Sequence, residues 1–167
     1  MKKLFLISIV LFLVCAIKAQ TTFSVPTPTM EQKYNMSTAL LYNNILALIT
    51  IAKSDGVTAE ELGKKGGEVF APLWDEDTEF EGFVNFSLTS WAHLAENVQI
   101  IEQSNEKVVI TAQHIYPQLE DQGVFVGSSI QDLIAYFDAM MSEIANHFDL
   151  SCDMTWAEEE LNIEITQ

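Results

Sequence analysis

Two runs near the C-terminus alternate with a strict period of two. Leu150, Cys152, Met154 and Trp156 interleave with polar residues, and Leu161, Ile163 and Ile165 repeat the pattern after a short break. Successive side chains of a strand point to opposite faces, so each run presents one apolar and one polar side. That is the signature of an antiparallel sheet with one solvated face. The spacing predicts a hairpin that turns at Ala157 to Glu160 and buries Cys152 beside Met154 and Trp156. A second hairpin is expected upstream, with strands at Val98 to Gln103 and Lys107 to Gln113 joined by Ser104-Asn105-Glu106.

Helical periodicity fills most of the remainder. From Glu31 to Lys53 the stripe Tyr34, Leu41, Ile45, Leu48 and Ala52 predicts one helix, widened by Leu40, Leu46 and Ile49. Thr58 with Glu61 three residues later is a capping-box pattern that opens a second helix. Gly63, Gly66 and Gly67 weaken that helix by up to about 1 kcal/mol each relative to alanine. They are explained by close packing against another helix, and Pro72 should end or kink the segment. A third helix is expected from Phe80 to Glu96. After a loop at 114–127, Ser128 with Gln131 is expected to cap a fourth helix to Phe148, with Asp138 and Ser142 facing out. The expected architecture is α+β, helices packed on an antiparallel sheet built from two hairpins.

The first 19 residues have the order of an export signal: Lys2 and Lys3, an apolar run from Leu4 to Ile17 broken at Ser8, then the small Ala19. Cleavage after Ala19 would leave a tether at 20–30 and a single α+β domain at 31–167, with a secreted or periplasmic destination. A lipoprotein acylated at Cys15 is the weaker reading, because Val14 stands where a glycine or alanine is usual. No other stretch suggests a membrane span in the mature chain. Removal of the leader leaves Cys152 as the sole cysteine, so no intrachain disulfide can form.

Charge excludes whole classes of function. The chain carries eight Lys and no Arg against 24 carboxylates, a net charge of −16. Loss of Lys2, Lys3 and Lys18 leaves five lysines against the same 24, or −19. Nucleic-acid binding needs a basic footprint to neutralise phosphates, and none exists here. An anionic membrane surface would be repelled for the same reason. An anionic ligand would lack the bidentate guanidinium clamp that Arg supplies.

Few residues offer chemistry. His93 with Glu96, and Glu143 with His147, have helical spacing, but two loose pairs do not make a dedicated metal motif, and no metal or other cofactor is expected. The run Asp75 to Glu81 fails the EF-hand pattern, since Gly82 falls at the eighth position and Phe86 at the twelfth. Gly63-Lys64-Lys65-Gly66-Gly67 lacks the phosphate-loop spacing and lies within a helix. A thiol–imidazole pair of Cys152 with His114 is the best catalytic candidate, set against a buried structural Cys and an ordinary His. A ligand pocket between helices and sheet is expected near Trp91, His93, His114 and Tyr116.

From Val98 onward, the order of strand, hairpin and strand (VVITAQHIYP), capped helix (SSIQDLIAYFDAMMSEIANHF) and closing hairpin (DMTWAEEELNIEI) resembles the L-2-amino-thiazoline-4-carboxylic acid hydrolase-like proteins. The resemblance implies a small α+β fold and, as an alternative function, hydrolysis of a small molecule. It also implies a cysteine-bearing segment after the central hairpin, where this chain has His114 and Tyr116 instead. The residues themselves point to an exported acidic module that binds a small molecule or a protein partner without catalysis.

Overall fold

The computed structural model describes residues 27–75, 78–116, 119 and 123–167. The chain divides into two units, Met1–Lys33 and Tyr34–Gln167. The expected leader and most of the expected tether lie outside the described residues. In the first unit, Thr29 and Gln32 cap a helix start reciprocally: Gln32 N–H donates to Thr29 Oγ1 and Thr29 N–H to Gln32 Oε1, at 3.1 and 2.9 Å.

The described elements run α1 (Met30–Ser54), α2 (Ala59–Phe70), a 3-10 turn (Ala71–Leu73), α3 (Phe80–Leu94), β1 (Asn97–Gln103) and β2 (Lys107–Gln113). They continue through β3 (Val124–Phe125), β4 (Ser128–Ser129), α4 (Ile130–Asn146), β5 (Ser151–Ala157) and β6 (Glu160–Thr166). The fold is α+β. Both expected hairpins form, and β2 pairs with β6 to fuse them into one antiparallel sheet of order β1-β2-β6-β5. The register aligns Val108 with Ile165, Ile110 with Ile163 and Ala112 with Leu161. All six are buried on one face, the larger ones contributing about 1.5–3 kcal/mol each. Helix α4 packs on β5, and α2 packs on α4.

Glycine makes that second contact possible. A Cβ on Gly63 would overlap the Tyr136 carbonyl oxygen, and one on Gly67 would stand 2.5 Å from Glu143 Cβ. The capping box of Thr58 and Glu61 forms in both directions. Pro72 sits in the 3-10 turn that ends the segment.

Several expectations need correction. The buried face of α1 is Tyr42, Ile45, Leu46 and Ile49, whereas Tyr34, Leu40, Leu41 and Leu48 are exposed. No charged residue stands between Lys33 and Lys53, so apolar residues surround the helix and periodicity alone does not select a face. By length and composition α1 could also cross a membrane, contrary to the expectation of no such stretch after the leader. Here one side of it is buried in protein.

Helix α3 stops at Leu94, leaving Glu96 beyond its end. Helix α4 is capped by Ser129 with Asp132 rather than by Ser128 with Gln131. Ser128 belongs to β4, and its buried hydroxyl bonds Thr50 Oγ1 and the Leu46 carbonyl. The expected loop also holds β3, which pairs with β4 in a small ribbon. Asp138 does not face solvent freely: its carboxylate accepts the Met154 N–H.

Candidate functional site

Three elements of the second unit enclose a cleft of about 390 Å³. Its walls are the first turns of α1 within that unit (Tyr34, Thr38, Tyr42), the end of α3 (His93) and the residues leaving β2 (His114, Tyr116). Two tyrosines of α1 hold the end of α3. Tyr34 Oη donates to the His93 carbonyl at 2.5 Å, and Tyr42 Oη to the Leu94 carbonyl at 2.8 Å. The last carbonyls of a helix have no partner inside it, so these hydroxyls complete them. Tyr116 Oη donates to Asn43 Oδ1 at 2.8 Å, and its ring lies 4.8 Å from that of Tyr42. Burial pushes the Tyr116 phenol up from its ordinary value, which keeps it a donor.

The two imidazoles are held differently. His93 Nδ1 lies 2.7 Å from the Thr89 carbonyl. A carbonyl only accepts, so Nδ1 carries a proton; in the neutral ring Nε2 is then the acceptor. His114 is exposed and has φ +53°, in the left-handed region. A non-glycine residue there is strained, and such strain concentrates at functional sites. Polar side chains around aromatic walls suit a neutral, weakly polar molecule. Among the described residues no lysine lines the cleft, and Glu96 does.

Of the residues expected to bind ligand, His93, His114 and Tyr116 line this cleft. Trp91 does not. It is 3% exposed, with its ring edge-on to Phe137 at 5.5 Å, so it belongs to the core beneath. Cys152 is also elsewhere. It pairs with Ile165, which pairs with Val108, while His114 leaves the other end of β2 past Gln113. That register separates thiol from imidazole by the length of a strand, so the expected thiol–imidazole pair does not form. Burial pushes the Cys152 thiol up to about 12, with Asp138 and Asp153 adding to the effect, so at neutral pH it is not a nucleophile.

His147 is the C-cap of α4, near Glu143 and Glu68 on a different surface. Among the described residues no three His, Cys, Asp or Glu side chains cluster as a metal site. A larger cleft, about 1010 Å³, opens between the start of α3, the β1–β2 loop and Phe148–Leu150, and among the described residues no His or Cys lines it.

Tyr34, Tyr42 and Asn43 were not expected at the site: Tyr34 read as part of an apolar stripe, and Tyr42 and Asn43 were not singled out. A usable signal was present, since a tyrosine hydroxyl on an otherwise apolar helix needs a partner.

No protein-family model and no curated protein matches the chain. Among solved structures it is similar to an Fe(II) unliganded H-NOX protein from K. algicida, at 12% identity over 87% of this chain and 77% of that one. The TM-score is 0.36, and a likeness at that level carries no conclusion about fold or ligand here.

Proposed function

We propose that this chain is an exported acidic module that binds a small, weakly polar molecule in the cleft between Tyr34, His93, His114 and Tyr116. The supporting observation is that His93 and His114, 21 positions apart in sequence, line one concavity, one of them with a strained backbone. The cleft offers an acceptor nitrogen on His93 and aromatic walls on two sides. Its volume falls within the usual range for small-ligand sites, about 300–1,000 Å³. The anionic surface keeps such a module soluble and away from nucleic acid and anionic membranes.

Nothing in the geometry favours the hydrolase alternative, because the one described thiol is buried and remote from every histidine in the cleft. Thermal-shift screening of neutral aromatic and heteroaromatic molecules tests the binding reading. A hit should stabilise the wild type and lose its effect in His114→Ala and Thr38→Val. A screen with no hits, or hits indifferent to both substitutions, removes the cleft as the site. Export is tested separately by fractionating the producing cells and sequencing the N-terminus, which should begin at Gln20.

A further inference from the structure

A second concavity, independent of the histidine cleft, has a different character. The 3-10 turn, the start of α3 and the middle of α4 frame a groove of about 600 Å³, lined by Phe70, Leu73, Trp74, Phe86, Met140 and Ile144. Trp74 anchors its floor, 5.5 Å from Phe83 and 4.3 Å from Phe86 between ring centres. Leu73 is 75% exposed, and Val69, Phe70 and Phe86 are also exposed. A large apolar patch rimmed by polar groups marks an interaction surface rather than a folding defect.

The charge around the groove indicates what fits it. Asp75 is the carboxylate among the described residues that line it. Among the described residues, no basic side chain lines it. Elsewhere Lys53 is paired with Asp132, and Lys107 with Glu102 and Glu164. With no described lysine lining the groove, opposite charge there comes from what docks. An anionic amphiphile such as a fatty acid would meet the Asp75 carboxylate and gain no counter-ion. A second copy would bring the same negative charge. A cationic segment meets neither obstacle, and Lys or Arg beside the Trp74 ring adds an attraction to its π-face. Met140 and Met141 supply a lining that adapts to varied apolar side chains.

We propose that this groove docks an amphipathic helix from a partner protein, whose apolar anchors fill the space over Trp74 and whose Lys or Arg residues face Asp75. This is helix-in-groove recognition with the basic partner on the opposite side from this acidic chain.

The test uses the full chain and three labelled synthetic peptides of about 18 residues, five helical turns. One is a Leu/Lys amphipathic helix, one is a scramble of the same composition, and one is its Leu/Glu counterpart. Fluorescence anisotropy should show the Leu/Lys helix binding one to one, at least about tenfold more tightly than either control. Leu73→Ser and Phe86→Ser, checked for native circular dichroism, should each weaken it about tenfold, and Asp75→Asn should reduce its salt dependence. Leu73 is the more exposed of the two, whereas Phe86 also packs on Trp74, so the circular dichroism check carries most weight for the Phe86 variant. Equal binding of the scramble would show mere attraction to an acidic surface and overturn the proposal. So would unchanged affinity in both serine variants, preferential binding of laurate, or self-association abolished by Leu73→Ser.

Discussion

The carboxylate of Asp138 on α4 accepts the backbone N–H of Met154 on β5 at 2.6 Å. Strand β5 is an edge of the sheet, and edge strands expose unpaired backbone groups that invite pairing with other chains. Asp138 occupies one of those groups and fastens α4 to the strand. The arrangement has an electrostatic cost. Burial raises the pKa of Asp138, the Met154 hydrogen bond opposes that rise, and Asp153 and Glu60 add to it.

A pH-dependent stability follows. Because the folded-state pKa lies above the unfolded one, the folded state holds the proton more tightly between the two values. Stability from this group therefore falls as pH rises through that window and stays reduced above it. Asp138→Asn keeps an acceptor for Met154 without the charge. It should be more stable than wild type at pH 7 and lose that advantage towards pH 4, as read from urea midpoints. Lower stability at pH 7 would show that the ionic hydrogen bond outweighs the burial.

Cys152 predicts an effect at the other end of the scale. The side chain is 1% exposed, and burial pushes its pKa from 9.0 to about 12. Above about pH 9 the unfolded state releases the thiol proton while the folded state retains it, so stability should fall as pH rises from there. Cys152→Ala removes that alkaline slope, at the expense of a small cavity. Thiol-reactive reagents should modify Cys152 of the native protein only as fast as it opens, and rapid stoichiometric labelling of Cys152 at pH 8 would contradict the buried position.

The glycines of α2 should respond in opposite directions. Gly63→Ala gains about 1 kcal/mol of helix propensity but drives a Cβ into the Tyr136 carbonyl. The backbone there cannot move aside cheaply, so a net loss of about 2 kcal/mol or more is expected. A Cβ on Gly66 would meet Tyr136 Oη and Met140 at 3.6–3.7 Å, ordinary contact distances. Gly66→Ala should therefore stabilise by up to about 1 kcal/mol. Thermal denaturation of the two variants side by side checks the α2–α4 contact.

What the sequence revealed follows from where local pattern and burial agree. The β5–β6 hairpin was legible because its apolar alternation is uninterrupted from Leu150 to Trp156. The buried side of α1 was not, because Leu40, Leu41 and Leu48 are as apolar as Ile45, Leu46 and Ile49 and only tertiary packing chooses between them. The β3–β4 ribbon was invisible, since strands of two residues carry no period. Ser128 and Ser129 are interchangeable as cap candidates until Thr50 and Leu46 claim the first hydroxyl. At the site, His93, His114 and Tyr116 could be nominated by chemical type. Trp91 was nominated for the same reason, and helix phase turned it inward. The role of Tyr34 and Tyr42 depends on α1 lying beside the end of α3, which no local pattern encodes.

The turn between β5 and β6 offers the simplest gain in stability. Ala157 pairs with Glu160, leaving a two-residue loop in which Glu158 and Glu159 have φ of +54° and +63°. Both loop positions with positive φ define the hairpin geometry that matches strand twist, and Asn-Gly is its preferred occupant. Glutamate has neither the freedom of glycine nor the short side chain of asparagine, so each position carries strain. Glu158, Glu159 and Glu160 also place three carboxylates in sequence on a chain already at −16. Replacing Glu158-Glu159 with Asn-Gly relieves both problems, and an increase of about 1–2 kcal/mol is expected. Part of the gain is electrostatic and should shrink in high salt, while the backbone part should not. Urea denaturation at low and high ionic strength separates the two, and a variant no more stable than wild type in either would mean that the loop is not strained as its dihedral angles indicate.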